Sequence, residues 1–290
     1  MKLRKGISIY NQLPEGFDAV TINSGTVFHT EQPAPVVEYN GYKYRPKYEP
    51  EAYVVKRDWR NLDGSEIKLL QANGHRNEYN TVYLGEIPGN LRKDFEQLGL
   101  SGSSTREEVM EKLKQNAEAT KKLNASITAF LQPLSGNRPF HFHCLGINFP
   151  NIEMVACNTT GLPEKYHPKE VQYMGMHNDG TAKMTIHTAH KFGNRISINL
   201  GKEPRSFLFV NVSMIQALNM LKTKTDISKV NISNIPQIFF KHYPDYPVIR
   251  VQQKPYQYYI AATDNCFHDG STLGTRSLDI CFVYFGAFQY

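Results

Sequence analysis

The chain has 290 residues, 40% of them hydrophobic and 21% charged, with 33 Lys and Arg against 27 Asp and Glu for a formal net charge of +6. A chain of this length and composition buries a sizeable core, which excludes a disordered or fibrous protein. No apolar run nears the roughly 18 residues that cross a bilayer, and the positive charge is scattered rather than gathered into a nucleic-acid-binding arm, so membrane and nucleic-acid partners are not expected.

Residues 1–85 are rich in Tyr, Val and turn formers, and Asn40-Gly41 between β-formers predicts a hairpin. From about 87 to 132 the pattern turns helical. Ser104-Thr-Arg-Glu107 reads as a capping box, and Val109, Leu113, Ala117, Leu123, Ile127 and Phe130/Leu131 recur every three or four residues, with a break near 120. This predicts a long amphipathic helix lying on the outer face of a sheet. From 138 onward strands dominate: Phe140–Phe149, Val171–Asp179, Lys183–His190, Arg195–Leu200, Ser206–Val212, Val248–Gln252, Tyr256–Ala261 and Arg276–Phe288, with a short helix at Met214–Leu221. Eight short strands separated by Gly, Pro, Asn and Asp predict an antiparallel double-sheet barrel of the jelly-roll kind. The expected architecture is mainly β with flanking helices. A double-stranded β-helix core occupies 136–290, and an α+β extension over 1–135 wraps onto it as part of one integrated domain.

Cys144, Cys157, Cys266 and Cys281 have no C-x-x-C spacing and read as reduced core thiols. The basic start Met1–Gly6 is not followed by an apolar segment. Both observations predict a cytoplasmic protein.

The residues that carry chemistry are His177-Asn178-Asp179 and, 89 residues after Asp179, His268. Side chains alternate along an extended chain, so His177 and Asp179 face one way and Asn178 the other. Two His and one carboxylate on one face of a metal leave three positions open, the arrangement that suits non-haem Fe(II) and O₂. Rival pairs are weaker as metal sites: His141 and His143 lack a nearby carboxylate, and His187 and His190 face opposite ways on the predicted strand. Arg276 begins an apolar run and is expected to point inward, where a guanidinium needs an anion. Arg195 and Arg205 are secondary candidates for holding a carboxylate or phosphate. No G-x-x-x-x-G-K-[ST], G-x-G-x-x-G or G-x-S-x-G motif is present, which removes the nucleotide-fold and serine-hydrolase readings.

In two stretches, Tyr173-Met-Gly-Met-His177-Asn-Asp179-Gly180 and Thr263-Asp-Asn-Cys-Phe-His268 running on through Arg276 to Gly286, the chain resembles the Fe(II)/2-oxoglutarate-dependent oxygenases. The resemblance covers about residues 165–288. It implies that His177, Asp179 and His268 hold Fe(II), that Arg276 binds the far carboxylate of 2-oxoglutarate, and that O₂ is the oxidant. It further implies hydroxylation, desaturation or cyclisation of a small-molecule substrate. Relatives commonly carry a Ser two residues after the Arg, where this chain has Leu278, so Tyr173 or Thr185 is expected to supply the helping hydroxyl. Asp179 argues against halogenation, which uses Gly or Ala in its place. The competing readings are a non-redox cupin-like isomerase or sugar-binding protein and a nucleic-acid demethylase. The oligomeric state is left open.

Overall fold

The computed structural model describes residues 1–72, 79–159, 161–163 and 166–289. In chain order its main strands are β1 (Ser8–Asn11), β2 (Val20–Ile22), β3 (Arg60–Asn61), β4 (Thr81–Glu86), β5 (His141–Asn148), β6 (Asn194–Asn199), β7 (Arg205–Ser213), β8 (Ile249–Gln253), β9 (Gln257–Ala261), β10 (Cys266–Ser271) and β11 (Asp279–Gly286). The helices are α1 (Gly64–Leu70), α2 (Gly89–Leu98), α3 (Arg106–Gln115), α4 (Ala117–Leu134), α5 (Met214–Leu221) and α6 (Ile235–His242). A six-stranded sheet has the order β1-β4-β9-β6-β11-β5, and a five-stranded sheet the order β10-β7-β8-β2-β3. Residues 1–135 are therefore built into both sheets. β1 and β4 extend the first beyond β9, and β2 and β3 extend the second beyond β8.

The period-two pattern of these strands separates an inner face from two outer ones. Between the sheets, Phe207, Phe209, Ile249, Val251 and Cys266 pack with Leu84, Ala261 and the half-buried Tyr259. Outside the six-stranded sheet, Ile196, Ile198, Ile260, Phe282 and Tyr284 meet Leu91, Phe95 and Leu98 of α2 and Leu123, Ile127 and Leu131 of α4. The spacing of three or four in each helix gives one apolar stripe, which lies on the sheet as the sequence predicts. Outside the five-stranded sheet, Leu208, Val210, Val212 and Phe267 meet Leu218, Phe239 and Phe240 of α5 and α6. The ring of Phe267 lies 4.8 Å from that of Phe239 and 5.2 Å from that of Phe240. Truncation of this fully buried ring leaves a cavity that its neighbours cannot close, so Phe267→Ala is expected to cost about 3–5 kcal/mol in urea unfolding.

Several predicted elements differ in detail. The helical region is three helices rather than one, and it breaks at Asn116, not near 120. The cap of α3 is displaced by one residue: the Thr105 hydroxyl accepts from Glu108 N–H at 3.1 Å, and the Glu108 carboxylate accepts from Ser104 N–H at 2.7 Å. The hairpin at Asn40-Gly41 forms, joining Val37–Tyr39 to Tyr42–Tyr44, with both turn residues at positive φ (52° and 81°). Lys183–His190 is not a strand. Thr185 N–H donates to the Thr188 hydroxyl at 2.9 Å, and Thr188 N–H to Thr185 C=O at 3.0 Å; these local bonds compete with sheet pairing and curl the segment into turns. The last strand starts at Asp279 rather than Arg276, because Gly274 (φ 85°) and a Thr275 N–H···O=C Thr272 bond make 272–275 a turn. All four cysteines are free, but Cys144 is exposed on edge strand β5, so it is not a core thiol. No helix among the described residues is long and apolar enough to cross a membrane.

Candidate metal centre

His177 and His268 are brought together by the backbone itself. His177 N–H donates to His268 C=O at 3.2 Å and His268 N–H to His177 C=O at 2.7 Å, an isolated antiparallel bridge that sets the two side chains next to each other. Their ring centroids are 4.5 Å apart. The predicted strand 171–179 is interrupted before this point by Gly175, whose φ of 71° and 2.5 Å approach of a would-be Cβ to Tyr53 C=O admit only glycine. Alternation still holds over the triplet. Asp179 lies on the side of His177, while Asn178 turns the other way, donating to Ile232 C=O at 3.0 Å and accepting from Gly180 N–H at 2.7 Å. Gly180 is needed for space, since a Cβ there would come within 2.2 Å of the Ile232 side chain.

The Asp179 carboxylate stands 3.6 Å from His177 Nε2 and 3.5 Å from His268 Nε2, and donor atoms of the three residues all lie within 4.8 Å of one another. The other ring nitrogens are engaged elsewhere: His177 Nδ1 meets Gly175 C=O at 2.8 Å and His268 Nδ1 meets Cys266 C=O at 3.4 Å. A carbonyl accepts only from an N–H, so each Nδ1 carries the proton and each Nε2 offers its lone pair to the centre, which is how metal-binding imidazoles are oriented. Two neutral Nε2 atoms and one carboxylate oxygen are a donor set that fits a divalent transition metal.

The surroundings act differently on each member of that set. Burial alone would raise the Asp179 pKa, but His268, His177 and Arg195 outweigh it and hold the carboxylate well below its ordinary range. Burial also drives His268 down, to about 3. At His177 burial is overcome by Asp179 and Asp269, and the pKa rises to about 9, so a proton and a metal compete for this ring. Arg195, on β6, donates to Thr263 Oγ1 at 2.6 Å and lies 3.1 Å from Asp264 and 3.4 Å from Asp179, bracing the carboxylate from behind. Asp269 packs beneath His177, its Oδ1 accepting from the N–H groups of Val155, Ala156 and Gly270.

The predicted co-substrate residues are not gathered here. Arg276 is exposed in the 272–278 turn, and its backbone N–H and that of Ser277 donate to Glu203. The inward orientation expected for it fails because the strand begins three residues later. Thr185 is exposed and bonded to Thr188. Tyr173 is buried outside the five-stranded sheet, with its ring 6.4 Å from that of Tyr48. Besides Arg195, a second cation enters the space between the sheets: Arg205, at the start of β7 and 5% exposed. Asp279 pairs with its Nε at 3.0 Å, and Ser197 Oγ accepts from Nη1 at 3.3 Å. Burial opposes the charge of this guanidinium, but Asp279 more than compensates and raises its pKa. Its Nη2 lies against Gly270, where a Cβ would approach to 2.8 Å. His143 is an additional residue of this region. It sits where the β5–β11 register shifts between Phe142 and Cys144, and such bulges re-aim side chains. His187 lies on an exposed turn, and His190 packs its ring 5.4 Å from that of Tyr79.

No protein-family model matches the sequence, and no curated protein matches it. Among solved structures, three similar ones are of the Kdo hydroxylase KdoO, described as a non-heme Fe(II) alphaketoglutarate dependent dioxygenase. The apo structure is 13% identical with a TM-score of 0.36, covering 71% of this chain and 79% of that one. The complex with alphaketoglutarate and Fe(III) is 12% identical with a TM-score of 0.38, covering 71% and 79%. The complex with succinate and Fe(III) is 14% identical with a TM-score of 0.37, covering 72% and 80%. Likeness of this degree assigns neither a family nor a substrate to the present chain.

Proposed function

We propose that the chain is an Fe(II)- and 2-oxoglutarate-dependent oxygenase acting on a small-molecule substrate. The observation that carries this reading is the convergence of His177, Asp179 and His268, with both Nδ1 atoms tied to carbonyls and both Nε2 atoms turned to the carboxylate. The strand order supports a double-stranded β-helix. Counting β5, the His177 bridge and β6 to β11 as eight successive strands, one sheet holds the order six-three-eight-one and the other two-seven-four-five. Apart from the paired fourth and fifth strands, successive strands thus alternate between two facing sheets, as in a jelly roll.

Within this frame each residue has a task. His177, His268 and Asp179 would hold the iron and leave the remaining coordination positions to the co-substrate and O₂. Iron bound there would supply O₂ activation, coupling oxidative decarboxylation of 2-oxoglutarate to succinate and CO₂ with oxidation of a substrate C–H bond. Arg205 takes the clamp role expected of Arg276. Gly270, against which its Nη2 lies, is two residues along β10 from His268 and on the same face, hence roughly 7 Å away. That suits a diacid with one end at the metal and the other on a guanidinium. Asp279 offsets the charge of the guanidinium from beside Nε, and a co-substrate carboxylate would meet its Nη groups, one of which now donates to Ser197 Oγ at 3.3 Å. Phe207, its ring 6.0 Å from that of His268 and stacked on Tyr259 at 3.9 Å, would give the co-substrate an apolar wall between the metal and Arg205.

The direct test is anaerobic addition of Fe(II) and then 2-oxoglutarate to the metal-free protein. A weak visible charge-transfer band that saturates with one equivalent of 2-oxoglutarate is the expected result. Iron binding without any such band would favour a non-redox metal protein instead.

A further inference from the structure

One row on the inner face of the six-stranded sheet is left uncovered. His141 on β5 pairs with Phe285 on β11, which pairs with Arg195 on β6. Alternation sets this row on the side opposite to Ile196 and Tyr284, towards the metal centre. Inner faces of facing sheets interdigitate and are normally buried, yet here His141 is exposed, and Phe285 and the neighbouring Val283 are only half-buried. The Asp179 side chain is 29% exposed, so the metal centre opens onto this row. The ring of Phe285 meets that of His141 at 5.4 Å, and the Arg195 guanidinium carbon lies 5.0 Å from its centroid. Nη1 makes the side-chain hydrogen bonds of Arg195, to Thr263 and Asp264, and is also the atom 3.4 Å from Asp179. Nη2 has no hydrogen-bond partner among the described residues and, unlike Nε, is not buried. A charged donor is thus presented where the metal centre opens.

We propose that Arg195 determines the substrate class: its Nη2 takes a carboxylate of the substrate, which is a small organic acid whose apolar body lies over Phe285 and Val283. The proposal rests on the oxygenase reading above. A guanidinium N–H donates its strongest hydrogen bonds to an anionic oxygen. Asp179 and Asp264 flank the guanidinium, so a carboxylate monoanion meets less repulsion there than a phosphate dianion does. A divalent metal on Asp179 would share the charge of that carboxylate, which leaves more of the charge of Arg195 for an external anion. Because the same guanidinium touches Asp179, the carbons next to the bound carboxylate are the ones brought nearest to the metal centre, and their C–H bonds are the ones placed for oxidation.

The experiment is ligand-observed NMR titration of the full chain with phenylacetate and with its neutral counterpart phenylacetamide. Each probe is added to the metal-free protein and to protein loaded with Zn(II) and saturating 2-oxoglutarate. Phenylacetate is expected to bind saturably and about tenfold more tightly than the amide, the worth of one hydrogen bond to a charged group. Arg195→Lys keeps a cation beside Asp179 and Asp264, and with it the fold, but lacks the second nitrogen. It should bring phenylacetate down to the affinity of the amide and leave the amide unchanged. Equal affinity of the two probes for the wild-type protein, or an unaltered phenylacetate affinity in Arg195→Lys, would overturn the assignment. Weakened zinc binding in that variant with phenylacetate binding intact would show that Arg195 only braces Asp179, and displacement of phenylacetate by 2-oxoglutarate would put the probe on Arg205; either result refutes the proposal. The metal-free titration separates this proposal from the oxygenase reading. Failure of wild-type protein to bind zinc or 2-oxoglutarate defeats that reading, whereas a preference for phenylacetate in the metal-free chain that Arg195→Lys abolishes still establishes the carboxylate site.

Discussion

Arg205→Ala is expected to weaken 2-oxoglutarate binding by more than tenfold, because truncating one partner of a buried, charge-assisted contact costs roughly 2–5 kcal/mol and each 1.4 kcal/mol is a factor of ten. The same change strands the Asp279 carboxylate, 6% exposed, without its cation, and an uncompensated buried charge is itself strongly destabilising. The decisive protein is therefore Arg205→Met combined with Asp279→Asn, which removes both charges together and should keep the fold and the iron site. Arg205→Lys should recover only part of the affinity, since a point charge does not reproduce the planar fork. Arg276→Ala, by contrast, should leave the 2-oxoglutarate saturation curve unchanged, because Arg276 lies in an exposed turn beside Glu203, to which its backbone N–H donates. A normal curve for the Met/Asn protein together with a weakened one for Arg276→Ala would reverse the assignment.

Loss of either imidazole should be more severe still. His177→Ala or His268→Ala removes one of three protein donors, and since loss of a group that merely orients a ligand costs about 10–100-fold in metal affinity, loss of the ligand itself should exceed that. The readouts are iron stoichiometry after desalting and the thermal shift on adding Co(II). A metal at 100 times its dissociation constant stabilises the folded state by about 2.7 kcal/mol. The wild-type protein should show this shift and the variants should not. The metal-free variants should melt close to the metal-free wild type, because the backbone bridge between positions 177 and 268 uses N–H and C=O groups that Ala retains. Full iron occupancy in either variant would remove His177, Asp179 and His268 as the metal centre.

Much of this centre is legible in the sequence because its geometry is local. The alternation of an extended chain puts His177 beside Asp179 and turns Asn178 away whatever happens upstream, and it does so here although Gly175 breaks the predicted strand. The helices over 87–132 are legible for the same kind of reason: the apolar stripe repeats with the helical period and needs a sheet to cover it. The one-residue error at the α3 cap reflects a run of hydroxyls, Ser103-Ser104-Thr105, each able to cap, among which only the packed position of the helix chooses.

The sequence ranks Arg276 above Arg195 and Arg205 as the interior cation, and the reason the structure differs is tertiary. Arg276 follows a Gly-Thr pair and precedes an apolar run, which reads as the start of an inward-facing strand. Glu203, from the loop between β6 and β7, instead accepts from two successive N–H groups and holds the segment as an exposed turn. Arg205 carries no local mark of its role. It becomes an interior cation only because β7 pairs with β10 in a register that sets Phe207 against Gly270, while Asp279 on the opposite sheet meets its guanidinium. The amino-acid sequence by itself determined a β-rich chain with an amphipathic helical region, and a His-x-Asp pair awaiting a distant His. The tertiary structure alone decided that Arg195 and Arg205, and not Arg276, share their interior, because that depends on the register between strands far apart in the chain, and local side-chain periodicity carries no information about it.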